Sequence, residues 1–126
     1  VGEALLAVHR SYLAPVLPLV QERLLLGMAH ITGGGLTDNL PRVLPGHLDA
    51  AIETGSWQIP PVFRFLIDQA GLPLDDARRS FNLGVGMVLI VAKAKVAKVL
   101  KQLAAAGEKP WVLGELIKGE GVVRYR

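Results

Sequence analysis

The run Leu24-Leu25-Leu26-Gly27-Met28-Ala29-His30-Ile31-Thr32-Gly33-Gly34-Gly35-Leu36-Thr37-Asp38-Asn39-Leu40-Pro41-Arg42-Val43-Leu44-Pro45 decides how the rest of the chain is read. Leu24–Ile31 is mostly apolar and of the length of a buried strand, interrupted by one glycine. Three consecutive glycines follow. Thr37, Asp38 and Asn39 are all favoured helix N-caps. Pro41 has no N–H and belongs in a first helical turn, which predicts a helix start near Asp38. Pro45 ends that helix. Glycine carries no Cβ to restrict φ or to block an approaching ligand. A glycine loop before a helix start therefore turns several free N–H groups and the positive end of a dipole toward one point. Such a point suits a phosphate. The spacing is neither G-x-x-x-x-G-K-[ST] nor G-x-G-x-x-G, and a plain turn between strand and helix accounts for the same residues equally well.

Working outward, residues 48–52 are predicted as a strand ahead of a turn at Thr54-Gly55. Pro60-Pro61 opens a helix with apolar Val62, Phe63, Phe65, Leu66, Ile67 and Ala70, and Gly71 stops it. Asp75 and Asp76 begin a short helix to about Phe81, with Arg78 and Arg79 at the end the dipole prefers. Residues 83–92 form a continuous apolar run rich in β-branched residues, which suits a strand covered on both faces. Residues 94–106 carry Val96, Val99, Leu100 and Leu103 on one helical face, and Lys95, Lys98, Lys101 and Gln102 on the other. Residues 111–117 and 122–125 read as a hairpin joined at Lys118-Gly119-Glu120-Gly121. Before the opening run, residues 13–23 have helical spacing, and Pro15 and Pro18 place the helix start at one of them. Residues 1–12 read as a connector. The sum is an α+β domain, one mixed or largely antiparallel sheet with helices packed on it.

A chain of 126 residues with 51% hydrophobic content fits one globular domain with a real core. It has no cysteine, so it has neither a disulfide framework nor a thiolate metal site. A net charge of +3 without basic clusters or interleaved aromatics argues against nucleic acid as a partner. No apolar run reaches the ~18 residues of a membrane span, so no membrane partner is expected.

Several side chains are candidates for chemistry. His30, just before the glycines, is of the type that gives or takes a proton near neutral pH. Its alternative is a histidine that only holds the loop. Arg42 offers a forked guanidinium to an anion, or pairs with Asp38 one turn back. Asn39 serves as a cap or as a ligand to substrate. Glu115 and Glu120 read as solvated carboxylates. His9 and His47 fall in predicted loops with no ligand spacing to His30, so no metal site is assigned.

The segment A-H-I-T-G-G-G-L, residues 29–36, followed by N-L-P-R-V-L-P, residues 39–45, resembles the signature of the aminoimidazole ribonucleotide synthetase family, the phosphoribosylformylglycinamidine cyclo-ligases. Ser56-Trp57, Pro60 or Pro61 with Val62-Phe63, Phe81-Asn82-x-Gly84-x-Gly86-Met87 and Trp111-Val112-x-Gly114-Glu115 follow in the family's order. They resemble only the family's C-terminal domain.

The resemblance implies a layered α/β/α domain over residues 13–126, partly ferredoxin-like. Residues 1–12 would lead from a missing N-terminal ATP-binding domain. It implies an ATP-dependent ligase of purine biosynthesis that closes the imidazole ring of formylglycinamidine ribonucleotide. ATP and magnesium would sit mainly on the N-terminal domain, which would also make most of a homodimer in the cytoplasm. The isolated piece would then be inactive. His30 would be catalytic, while Thr32, Gly33, Gly34, Gly35, Asn39 and Arg42 would hold a substrate phosphate, most simply the ribose 5′-phosphate. The alternatives are a relative in the same ATP-using superfamily or a non-catalytic binding or interaction module. The T-G-G-G-L and N-L-P-R elements favour the cyclo-ligase over the superfamily relatives.

Overall fold

The computed structural model describes residues 2–126. The chain begins with one helical turn, α1 (Gly2–Leu5), and an irregular stretch to Tyr12. The helix α2 (Leu13–Gln21) then starts two residues before Pro15, upstream of the start that the prolines predict. Pro15 lies in the first turn, where an N–H has no partner to lose, and Pro18 is accommodated inside the helix. Val16 and Leu19 are the buried side of α2.

Strand β1 (Leu25–His30) forms as the opening run predicts. It pairs antiparallel with β3 (Met87–Val91), with His30 opposite Met87 and a bulge between Leu25 and Gly27. The predicted strand over residues 83–92 is therefore only half realised. Leu83 and Gly84 take positive φ, and the Val85 N–H donates to the Asn82 carbonyl, so the chain turns before the strand begins. With a single strand neighbour, every residue of β3 is half-buried rather than covered on both faces.

The expected hairpin between the last two strands does not form. β4 (Gly114–Lys118) and β5 (Val123–Tyr125) both pair with β2 (Leu48–Ile52), which lies between them. The β2–β4 pairing is antiparallel and the β2–β5 pairing parallel. The reason lies in β2, whose residues 49–52 are all buried. The Asp49 carboxylate accepts the backbone N–H groups of Glu120 at 2.7 Å and Val122 at 3.0 Å, and pairs with the Arg124 guanidinium. Gly119 lies so close to that carboxylate that no Cβ fits. The connection from β4 to β5 is thus drawn past Asp49, and β2 sits in the gap.

The fold is α+β, but its strands divide into a two-stranded and a three-stranded sheet instead of one. Between the two sheets, Ala29, Ile31, Leu36, Leu40, Ala50, Ile52 and Val85 form the main core. A second cluster, Leu19, Leu24 and Val99, lies under α2 and α6 (Val96–Ala105). The expected lysine face of α6 is exposed, and Lys98 reaches Glu22 at 2.7 Å. Two further helices, α4 (Pro61–Ala70) and α5 (Leu74–Ser80), form where the prolines and acidic residues predict, and Gly71 ends the first at φ 56°.

Candidate functional site

β1 delivers the chain to the glycine loop. The helix that follows, α3 (Gly35–Asn39), starts three residues before Asp38, and residues 40–42 add a 3-10 turn containing Pro41. Thr37, Asp38 and Asn39 therefore stand inside the helix rather than cap it. Gly34 occupies the capping position, at φ 96° and ψ −14°. The cause is packing. At Gly35, φ is 57°, and a Cβ would collide with the backbone carbonyls of Arg78 and Phe81 around the end of α5. Only glycine meets both demands there.

Asn39 is buried, and its side-chain amide donates inward. It reaches the carbonyls of Gly35 at 2.8 Å, Gly33 at 3.2 Å and Thr32 at 3.4 Å. These bonds fix the shape of the loop and turn the donors of Asn39 away from any ligand. Thr32 and Gly33 are exposed, and nothing lies within 4 Å of where a Gly33 Cβ would be. Among the described residues the N–H groups of Gly33 and Gly34 have no acceptor. The Asp38 carboxylate flanks Gly34, so Thr32 and Gly33 form the side open to an anion. Arg42 is exposed on the 3-10 turn and makes no ion pair among the described residues, with Asp38 or any other group.

His30 ends β1. Alternation places Ala29 in the core and points His30 to the outer face of the sheet with Leu26 and Met28. There its Nε2 lies 3.0 Å from Nε2 of His9. Tyr12 stands edge-on to the His30 ring at 6.1 Å between centroids. With Arg10, these side chains form the polar end of a groove of about 570 Å³, otherwise lined by apolar residues of α2, by Met28 and by Met87. The structure thus gathers Thr32, Gly33, Gly35 and Asn39 into one hydrogen-bonded loop. It sets His30 on the adjoining outer face and leaves Arg42 unattached. Sequence reasoning joins neither His9 nor Tyr12 to the site, because no spacing rule links residues 21 and 18 positions apart.

Behind the loop, Thr37 shares a hydrogen bond with the Tyr125 hydroxyl at 2.8 Å, and the Arg78 guanidinium lies 4.2 Å over the Tyr125 ring. Burial raises the Tyr125 phenol above its ordinary pKa, so it acts as a neutral partner for Thr37. Glu115 pairs with Arg126 at 2.8 Å on the surface, and Glu120 is exposed, as expected of solvated carboxylates. Among the described residues no three or more histidine or acidic side chains converge as a metal site.

A family model described as AIR synthase related protein, C-terminal domain, matches residues 1–126. A phosphoribosylformylglycinamidine cyclo-ligase of Carboxydothermus hydrogenoformans is 49% identical over 120 residues, covering 94% of this chain and 34% of the relative. The enzyme of that name from Bacillus subtilis is 46% identical over 121 residues, covering 96% of this chain and 35% of the relative. A bifunctional purine biosynthetic protein of Saccharomyces cerevisiae is 46% identical over 115 residues, 91% of this chain and 14% of the relative. The chain spans about a third of the cyclo-ligases it matches, and less of the bifunctional protein.

Proposed function

The chain belongs to the family of AIR synthase related C-terminal domains, and on that premise we propose that it is the substrate-positioning part of a phosphoribosylformylglycinamidine cyclo-ligase. The observation that carries this reading is that over nine-tenths of this chain matches relatives of that name, with the A-H-I-T-G-G-G-L segment open to solvent at Thr32 and Gly33. The reaction closes the imidazole ring of formylglycinamidine ribonucleotide in purine biosynthesis. Residues 1–12 are the connector from a preceding ATP-binding domain, and residues 13–126 are the body of this one. The whole protein works as a homodimer in the cytoplasm.

The preceding domain would hold ATP and magnesium, whose phosphoryl group would turn the formyl oxygen into a leaving group. This chain binds and orients. The N–H groups of Gly33 and Gly34 hold the ribose 5′-phosphate, Thr32 adds a hydroxyl, and Gly35 and Asn39 keep the loop in shape. Arg42 supplies positive charge. His30 accepts the proton that the attacking amidine nitrogen loses on ring closure. Fixed orientation of this kind supplies several kcal/mol of a barrier, up to about 7–11 in ideal cases.

The test is an assay of ATP-dependent consumption of formylglycinamidine ribonucleotide, with this chain alone and joined to its ATP-binding partner domain. The joined protein is expected to turn over and the chain alone to be inactive. An inactive joined protein that is folded and binds ATP overturns the reading.

A further inference from the structure

We propose that His9 is a positioning residue for His30, fixing its tautomer so that Nδ1 of His30 is the free proton acceptor of that ring. The placement of the hydrogen atoms decides the tautomer. His9 Nδ1 lies 3.1 Å from the carbonyl oxygen of Arg10. A carbonyl only accepts, so Nδ1 of His9 carries the hydrogen. A neutral imidazole has one N–H, which leaves Nε2 of His9 as a lone pair. That lone pair faces Nε2 of His30 at 3.0 Å. His30 must then donate from Nε2, and its Nδ1 is bare. The chain of donors runs from His30 Nε2–H to His9, and from His9 Nδ1–H to the Arg10 carbonyl.

The residues that follow His9 are tied to the body of the domain. Arg10 pairs with Glu108 at 2.5 Å. The Tyr12 hydroxyl lies against Gly86, at a position where any Cβ would overlap it. Gly86 in turn accepts the Ile31 N–H at 2.9 Å, one residue past His30. The connector and the end of β1 are thus braced against the same glycine. His30 lines the groove, and the amidine nitrogen of the proposed substrate is a group with an N–H for Nδ1 to accept. If Nδ1 takes that proton, the resulting imidazolium still donates through Nε2 to His9, so the ring keeps its orientation as it charges.

The catalytic consequence rests on the proposed function, but the tautomer does not. It is read in this chain by two-bond ¹H–¹⁵N NMR of the imidazole rings, with both histidines neutral. His30 is expected to be protonated at Nε2 and His9 at Nδ1. His9→Leu removes the acceptor and is expected to leave His30 a mixture of tautomers with the backbone amide spectrum unchanged elsewhere. His9→Gln offers an amide oxygen instead and is expected to restore the Nε2–H form. A His30 protonated at Nδ1, or one indifferent to His9→Leu, overturns the proposal. In the joined protein His9→Leu is expected to lower kcat about tenfold or more with KM retained, and His9→Gln to recover most of that loss. If the tautomers are as stated but His30→Asn leaves kcat unchanged, the positioning stands and the catalytic reading of His30 fails.

Discussion

The two sheets of this domain treat their polar groups in opposite ways. In the three-stranded sheet, Asp49 is 0% exposed, and its carboxylate takes two backbone N–H groups and a guanidinium. All three of those partners come from the chain itself. In the two-stranded sheet, Leu26 is 74% exposed, Met28 is 49% exposed, and His30 stands beside them on the same outer face. Next to it, the loop leaves N–H groups at Gly33 and Gly34 without acceptors among the described residues. A buried charge whose partners all come from the chain holds the fold together. Surface groups with spare bonding capacity are where a substrate can act. One core joins the two regions, so a change in either tests the contrast.

The largest effect is expected at Asp49. Asp49→Ala leaves the Glu120 and Val122 N–H groups and Arg124 without their acceptor. It is expected to lower the urea unfolding midpoint by more than any single substitution in the glycine loop or on the open sheet face. The N–H groups of Val122 and Glu120, followed by Arg124, hold the Asp49 carboxyl down at about 2. A depressed carboxylate stabilises the fold above its unfolded pKa, and that stability is lost as pH falls through the folded value. Acid titration of wild type is therefore expected to lose stability between about pH 4 and 2. Asp49→Asn is expected to flatten that loss. An equally steep loss in the variant would place the acid sensitivity elsewhere.

Next come two glycines of one loop. Gly35→Ala forces a side chain into left-handed φ against the Arg78 and Phe81 carbonyls, and is expected to cost about 2–4 kcal/mol in chemical denaturation. Gly33→Ala meets open space and is expected to stay within about 0.5 kcal/mol, while weakening phosphate binding. If Gly33 proved as costly as Gly35, the loop would be a packing device throughout.

Arg42→Ala is expected to leave folding untouched and, in the joined protein, to raise KM several-fold at constant kcat. A phosphate remote from the ring closure is held alike in ground and transition states. A fall in kcat with KM unchanged would move Arg42 to the reacting centre. The smallest effect is expected on the open face. Leu26→Lys and Met28→Lys should change the stability of this chain by no more than about 0.5 kcal/mol, measured by urea titration. A large loss would mean that the outer face is covered and that the contrast between the sheets is false.

The elements are legible in the sequence where their pattern is local. Periodicity and caps mark β1, β2, α4 and α6 close to their observed limits, and the glycine motif marks the loop. Pairing is not legible. A charged Asp49 in a strand reads as a solvent-facing residue, and its partners lie 71 to 75 positions away. Nothing local announces that it will draw the β4–β5 turn around itself. The helix start is misplaced because cap residues at 37–39 compete with Gly35, whose role depends on carbonyls at residues 78 and 81. His30 stands out from its place before the glycines. His9 does not, because only the fold brings the connector back to the end of β1.

The claim that Thr32 and Gly33 open a phosphate site is tested most directly by titrating ribose 5-phosphate into this chain while following backbone amide NMR. The account predicts saturable shifts concentrated at residues 32–36, weakened by Gly33→Ala and by Arg42→Ala, with Asp49 and its neighbours unmoved. Shifts centred elsewhere, or none that saturate by some tens of millimolar (roughly the weak end of useful affinity), would contradict it and leave the three glycines as a turn that packs α3 against α5.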